Sequence, residues 1–169
     1  KPWILAGGMQ ATMTPEIVGR MVDFVFIGDA DDHLGAVVAE IAEKGCCTHL
    51  HVYQDGMKGV PEPAVCSPSA FSINTYEGKK GLCRTEIARG CKFKCAFCCL
   101  SGLKPYREVP LDELIPVIER NRGKRTSFFA PERTCHSQWR EIKAALRAAK
   151  IRDFGMDVRL ERLQEIDGP

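Results

Sequence analysis

The sequence lacks any long apolar run. No stretch approaches the roughly 18–20 apolar residues that a membrane-spanning helix needs, and no apolar segment is typical of a secretory signal. Neither sign of charge dominates, because 24 basic and 22 acidic residues leave a net charge of +2. That balance gives no reason to expect a nucleic-acid or membrane-surface partner. With an apolar content of 44%, we expect a globular, cytoplasmic protein.

Cysteine is plentiful, but its pattern is not that of a disulfide framework. The chain has nine cysteines in 169 residues. Secreted disulfide scaffolds are more often shorter and have an even number of cysteines. We therefore expect reduced thiols, some of which bind metal.

The first 55 residues predict half of a doubly wound α/β domain. Apolar runs at 3–6 and 23–28 are typical of parallel strands that are covered on both faces. A helix is predicted after each strand, the second one from residue 34 to the glycine at 45. In such domains ligands bind at the carboxyl ends of the strands. Here those ends carry Gly7, Gly8, Gly28 and Asp29.

Strand and helix patterns alternate again in the last half of the sequence. The predicted elements are strands at 84–90, 125–130 and 153–160, and helices at 111–121 and from Ser137, which is the expected N-cap. This order implies parallel strands joined by right-handed crossovers. It is compatible with the opening of a (β/α) barrel, in which chemistry lies on the loops after the strands.

These patterns predict two partial domains. Residues 1–55 form part of a Rossmann-like domain, prolines and glycines at 56–82 form a linker, and 83–169 form the start of a barrel. The sequence begins with KPWILAGG inside a predicted strand and ends with EIDGP before an architecture is complete. We therefore expect that the remainder of the same polypeptide is missing.

Cys91, Cys95 and Cys98 form a C-x3-C-x2-C motif within RGCKFKCAFCCLSG. Three thiolates cannot complete a four-coordinate zinc site, so a zinc ion would need a further ligand. The candidates for that ligand are Cys83, Cys99, Cys135 and His136. The sequence has neither the paired C-x2-C knuckles of zinc modules nor the C-x2-C-x2-C run of bacterial ferredoxins. An iron–sulfur cluster held by three cysteines would leave one iron open to another ligand.

The segment ARGCKFKCAFC resembles the signature of the radical S-adenosylmethionine superfamily. In that family a C-x3-C-x2-C loop follows the first strand of a partial (β/α) barrel, and an aromatic residue precedes the last cysteine. The resemblance implies that Cys91, Cys95 and Cys98 bind a [4Fe–4S] cluster whose open iron chelates S-adenosylmethionine, whereas the adjoining Cys99 is a buried free thiol. It also implies reductive cleavage of the C–S bond, a 5′-deoxyadenosyl radical that abstracts a substrate hydrogen, and an electron donor such as a flavodoxin or ferredoxin.

The same resemblance assigns roles to residues outside the motif. Phe97 would lie against the adenine, with a core aromatic as the alternative. Glu132, in the APERT segment that replaces a GGE-like motif, would accept the methionine amino group, and Arg159 would reach the carboxylate. For these two, the alternatives are a solvated acid and a paired or exposed arginine. Cys135 and His136 would serve substrate contact or acid/base chemistry at the barrel mouth, or form a polar turn.

The sequence before the linker resembles the later half of the cobalamin-binding domain that precedes many of these barrels. GGMQAT, PE and DFVFIGDADD follow the order and spacing of GGPHAT, PE and D.VV.GEGE in such domains. The resemblance makes cobalamin a candidate cofactor, although some family members keep the domain without binding it. Gly7, Gly8, Gly28 and Asp29 would be available to the corrinoid, but they also suit turns and a helix cap.

The leading functional hypothesis is a radical S-adenosylmethionine enzyme that transfers a methyl group to an unreactive carbon. One alternative is a radical enzyme for methylthiolation, rearrangement or cyclisation, with a vestigial Rossmann domain. Another alternative is a non-catalytic zinc-binding module. His33, His49 and His51 are predicted to be surface or turn histidines rather than ligands.

Overall fold

The chain divides into two compact units, Lys1–Cys66 and Ser67–Pro169. The computed structural model describes residues 2–66, 82–98, 105–130, 135–151, 154–155 and 159–165. Both units combine helices with small sheets, so the chain is an α/β protein. Within these ranges no helix has the length and apolar character needed to cross a membrane.

The described part of the first unit holds a three-stranded sheet and three helices. Its elements are β1 (Leu5–Ala6), α1 (Met9–Met13), α2 (Pro15–Gly19), β2 (Phe24–Phe26), α3 (Leu34–Lys44) and β3 (Val52–Tyr53). The strand order is β1-β2-β3, in which β1 and β2 are parallel and β3 is antiparallel to β2. The two strands expected from the apolar runs are present, whereas the antiparallel β3 departs from an all-parallel sheet.

Strand β2 is buried on both faces. Phe24 and Phe26 pack in a cluster with Val37 of α3. Val25 and Ile27 belong to a second cluster, on the side of α1 and α2. Successive side chains of a strand point to opposite faces, so covering both faces requires the continuous apolar run seen in the sequence.

Gly28 allows a close backbone contact at the end of β2. Its φ is +100°, and a Cβ atom added there would lie 2.3 Å from both the nitrogen and the oxygen of Ala64. The two residues form a parallel bridge. In it the Ala64 N–H donates to the Ile27 carbonyl and the Asp29 N–H donates to the Ala64 carbonyl, each at 2.9 Å. A structural requirement therefore accounts for this glycine.

The described part of the second unit contains a parallel sheet and a separate strand pair. Its elements are β4 (Leu82–Glu86), β5 (Ala88–Arg89), β6 (Arg107–Glu108), α4 (Leu111–Arg120), β7 (Arg125–Phe129), α5 (Trp139–Ala148), β8 (Phe154–Gly155) and a 3-10 helix (Leu160–Glu165). Strands β4, β7 and β8 are neighbours in that order and run parallel. Within the described residues this sheet is open, and no closed barrel is present.

Three local predictions in this unit are wrong. The strand expected at 153–160 does not extend to Leu160, which begins the 3-10 helix. The strand expected at 84–90 is divided, because β5 leaves the parallel sheet and pairs antiparallel with β6. The N-cap of α5 is Gln138 rather than Ser137. The Ser137 N–H donates to the Glu108 carboxylate at 2.9 Å, and the Ser137 hydroxyl donates to the same carboxylate.

We expect Gly28→Ala to destabilise the chain far more than Gly56→Ala. Both glycines have positive φ, +100° and +86°, but a Cβ atom at Gly56 meets open space. The control should therefore lose about 1–2 kcal/mol from backbone strain alone, whereas Gly28→Ala should lose about 3 kcal/mol or more because the clash with Ala64 adds to it. Urea titrations followed by circular dichroism measure the difference. Equal losses would show that the Ala64 contact does not require glycine.

Candidate metal-binding cysteine loop

The three motif cysteines lie on the loop that directly follows β5. Gly90, with φ of +72°, turns the chain out of the strand. Cys91, Cys95 and Cys98 are half-buried and form no disulfide. The Cys98 N–H donates to the Cys95 carbonyl at 3.0 Å, which makes a tight turn between the last two thiols. Cys99 lies outside the described residues.

Lys92 connects this loop to two other segments through an ion pair and a hydrogen bond. Its ammonium lies 3.1 Å from a carboxylate oxygen of Glu108 in β6 and donates to the Cys135 carbonyl at 2.7 Å. The same ammonium lies 4.4 Å from the centroid of the Tyr106 ring, a cation–π distance. These contacts fix the position of the residue beside the first thiol of the motif.

The Glu108 carboxylate is stabilised in its charged form. Burial alone would raise the pKa of Glu108. The hydrogen bonds from the Ser137 side chain and N–H, the Lys92 ammonium, and nearby His136 act in the opposite direction and hold that pKa below its usual value. The half-buried Glu108 carboxylate thus receives hydrogen bonds from the cysteine loop, through Lys92, and from the segment before α5, through Ser137.

Arg159 contacts the second thiol of the motif. Its Nη1 donates to Cys95 Sγ at 3.1 Å, and its Cζ lies 4.2 Å from the centroid of the Phe93 ring. Its Nε donates to a Glu161 carboxylate oxygen at 2.6 Å. The arginine is therefore paired at the cysteine loop, with its guanidinium against the Cys95 sulfur.

Cys135 and His136 are both buried in the second unit. His136 Nε2 lies 3.0 Å from the Val109 carbonyl, to which it donates, and Nδ1 accepts from the Gln138 N–H at 3.1 Å. Both ring nitrogens are engaged with backbone groups in this arrangement. His136 therefore connects the start of α5 to the segment after β6, and both of its nitrogens are used in these hydrogen bonds.

Phe97 is 93% exposed. The alternative that it is a core aromatic is therefore wrong. A large apolar ring exposed beside three half-buried thiols is available to stack on a ligand. Glu132, the other residue expected to contact S-adenosylmethionine, lies outside the described residues.

The first unit brings together a group of ligand atoms that the sequence analysis missed. A carboxylate oxygen of Asp29, one of Asp31 and the Cys66 sulfur lie within 4.8 Å of one another. Of these, Asp29 was predicted at the ligand edge together with Gly7, Gly8 and Gly28. Asp31 follows two residues later, but Cys66 is 37 residues away along the chain and carries no spacing signal. Asp29 and Cys66 are buried and Asp31 is exposed.

We expect Glu108→Gln to destabilise the chain at neutral pH and to lose this effect in acid. The pKa of Glu108 is lowered in the folded state, so its stabilisation is present above the unfolded pKa of about 4.5 and is lost as pH falls through the folded value. The loss at pH 7 should be about 1–2 kcal/mol. Urea midpoints measured from about pH 7 to pH 3 should converge with those of the unchanged chain.

The matched control for this prediction is Glu119→Gln. Glu119 forms an exposed ion pair with Arg122, and such pairs contribute about 1 kcal/mol at most. A gap between Glu108→Gln and the unchanged chain that stays constant down to the lowest pH would contradict the role given to the charged carboxylate.

Comparison of the chain with protein-family models, with curated proteins and with solved structures finds no match. The cysteine motif and the geometry around it are therefore the features that indicate a function. In the second unit that geometry is a thiol-bearing loop that an ammonium, a carboxylate and a guanidinium hold in place.

Proposed function

We propose that the protein is a radical S-adenosylmethionine enzyme that uses a [4Fe–4S] cluster. One observation carries this proposal: Cys91, Cys95 and Cys98 lie in C-x3-C-x2-C spacing on the loop after β5, the short strand that follows β4, and β4 is the first strand of a sequentially ordered parallel sheet. The order β4-β7-β8, with helices α4 and α5 between the strands, is the order of an opening (β/α) barrel.

The thiols suit a cluster better than a single zinc ion. A structural zinc site has four protein ligands, and the motif supplies only three thiols, Cys91, Cys95 and Cys98. An iron–sulfur cluster held by the same three thiols would leave one iron open to S-adenosylmethionine.

The residues around the loop have defined tasks under this proposal. The three cysteines hold the cluster, which when bound supplies the electron that cleaves S-adenosylmethionine to methionine and a 5′-deoxyadenosyl radical. Lys92 keeps the loop in place, and the exposed ring of Phe97 is free to lie against the adenine. Arg159 donates to the Cys95 sulfur. Under this proposal it therefore contacts a cluster ligand.

The reaction class that we propose is methyl transfer to an unreactive carbon. Its support is the order GGMQAT, PE and DFVFIGDADD in the first unit, which resembles cobalamin-binding domains. The parallel pair β1 and β2, covered by helices on both faces, is compatible with a Rossmann-like origin. Cobalamin and an electron donor such as a flavodoxin or ferredoxin belong to this proposal. Methylthiolation, rearrangement or cyclisation would fit a chain whose first unit binds no corrinoid.

Cys95→Ala should abolish the cluster, whereas Cys99→Ala should keep it, because only Cys95 belongs to the C-x3-C-x2-C motif. The test is anaerobic reconstitution of the chain with iron and sulfide. Iron and sulfide content and visible absorbance should fall to background in Cys95→Ala and stay unchanged in Cys99→Ala. Adding S-adenosylmethionine should alter the electron paramagnetic resonance spectrum of the reduced cluster in the unchanged chain and in Cys99→Ala.

Two results would contradict the proposal. A colourless protein that takes up zinc at the motif cysteines, with an uptake that falls by one ion per chain in Cys95→Ala, would establish the zinc-binding module instead. A cluster that Cys99→Ala removes as completely as Cys95→Ala would show that the ligand assignment is wrong. Corrinoid absorbance after incubation with cobalamin separates the methyl-transfer class from the other radical reactions.

A further inference from the structure

Three of the four histidines in the chain converge in the first unit. The ring centroids of His33 and His49 lie 5.0 Å apart, those of His33 and His51 lie 5.4 Å apart, and those of His49 and His51 lie 5.6 Å apart. The rings therefore form a nearly equilateral triangle. His33 is the N-cap of α3, and the other two precede β3 in an H-x-H pair.

One buried ring supports all three imidazoles. The Phe26 ring of β2 lies 6.0 Å from the His33 ring, 5.8 Å from the His49 ring and 6.3 Å from the His51 ring, measured between centroids. Phe26 itself is 1% exposed, whereas the three histidines are half-buried. The three histidines thus pack on a buried aromatic ring, and they themselves remain partly exposed to solvent.

The spacing of the rings is that of a shared metal ion. Three imidazoles bound to one tetrahedral ion through bonds of about 2.0 Å place their ring centroids about 5 Å apart. The observed separations of 5.0–5.6 Å agree with this value. By contrast, three imidazoles packed together without a ligand gain little, because each is a polar ring that loses water on the sides it buries.

The hydrogen bonds of His51 also suit a metal ligand. Its Nδ1 lies 2.7 Å from the Glu62 carbonyl. The carbonyl accepts a hydrogen bond from the Nδ1–H group, so Nε2 keeps its lone pair. This arrangement is common among metal-binding histidines. His49 differs, because its Nδ1 accepts a longer bond of 3.3 Å from the His51 N–H.

Of the three histidines, His49 has a lowered pKa. Burial lowers the pKa of His49, and the nearby imidazoles of His33 and His51 lower it further. The Glu40 carboxylate acts in the opposite direction. It is directed elsewhere, to the Thr48 hydroxyl at 2.7 Å and to the Thr48 N–H at 3.1 Å.

Metal binding here requires rotation of side chains. Among the described residues, the ligand atoms that already lie within 4.8 Å of one another are those of Asp29, Asp31 and Cys66, so the nitrogens of the three histidines are not yet all gathered within that distance. A half-turn of an imidazole about χ2 exchanges nitrogen and carbon positions and leaves the centroid in place.

We infer that His33, His49 and His51 form a three-histidine site for a divalent transition metal such as Zn²⁺ or Ni²⁺. Imidazole nitrogens are ligands that these ions prefer. Three protein ligands leave a coordination position for water or for a small anion. The site is built from the first unit alone and is independent of the cysteine loop.

The test is a zinc titration of the full chain with the substitutions Cys91→Ser, Cys95→Ser and Cys98→Ser, which remove the motif thiols. Nitrogen-15 NMR of the histidine rings follows the binding. We expect the ring nitrogens of His33, His49 and His51 to shift together and to saturate at one zinc per chain. Those of His136, which lies in the second unit with both nitrogens hydrogen-bonded, should not move.

The zinc affinities of single-residue variants show which side chains bind the ion. His49→Gln and His33→Gln should each weaken zinc binding more than about 100-fold, because losing an outer-shell partner alone costs about 10–100-fold. Leu50→Gln, at a 70% exposed position between two of the histidines, should bind zinc as the parent does. Amide spectra without metal confirm that each variant is folded.

Two outcomes would overturn the inference. Saturating zinc that leaves all histidine resonances unchanged would show that the triangle is only an aromatic cluster. Zinc binding that is lost in Asp31→Asn or Cys66→Ser, yet kept in both histidine variants, would assign the ion to the Asp29, Asp31 and Cys66 group instead. Because the motif cysteines are absent from this background, neither result bears on the proposed iron–sulfur cluster.

Discussion

The Glu108 carboxylate is the point at which the cysteine loop, strand β6 and the segment before α5 meet. It accepts from the Lys92 ammonium, the Ser137 N–H and the Ser137 hydroxyl. A half-buried anion is stable only if such donors replace the water that it loses, so each of these segments constrains the others. The loop has little apolar packing of its own, and this polar junction therefore sets the position of its first thiol.

The first unit depends on a different constraint, the burial of β2 on both faces. Phe26 belongs to the cluster that contains Val37 and Val52, and the same ring is the base under the three histidines. Packing of a core strand thus fixes the place where polar rings converge. A bridge between Gly28 and Ala64 ends the strand with backbone hydrogen bonds. It requires glycine at position 28, because a Cβ atom there would clash with the Ala64 backbone.

Local patterns in the sequence predicted much of the fold but little of the polar geometry. Apolar periodicity located α3, α4 and α5, and short apolar runs located β1, β2 and β7, since both signals arise from neighbouring residues. The residues paired in β5 and β6 are 18 to 20 positions apart, and Glu108 and Ser137 are 29 positions apart, so no local pattern encodes these contacts. The contact between His33 and His49 is likewise not encoded by a local pattern. The cysteine motif is the exception, because its three cysteines lie within eight residues.

Ligand chemistry gives the two units different metal preferences. Thiolates favour iron–sulfur clusters and zinc, whereas imidazole nitrogens favour zinc, nickel and copper. The second unit presents three thiols with a guanidinium beside one of them. The first unit presents three imidazoles and no such cation among the contacts described for them. Under the two proposals, iron and sulfide therefore belong to the cysteine loop and a borderline divalent ion to the histidines, and zinc is the ion for which the two ligand sets would compete.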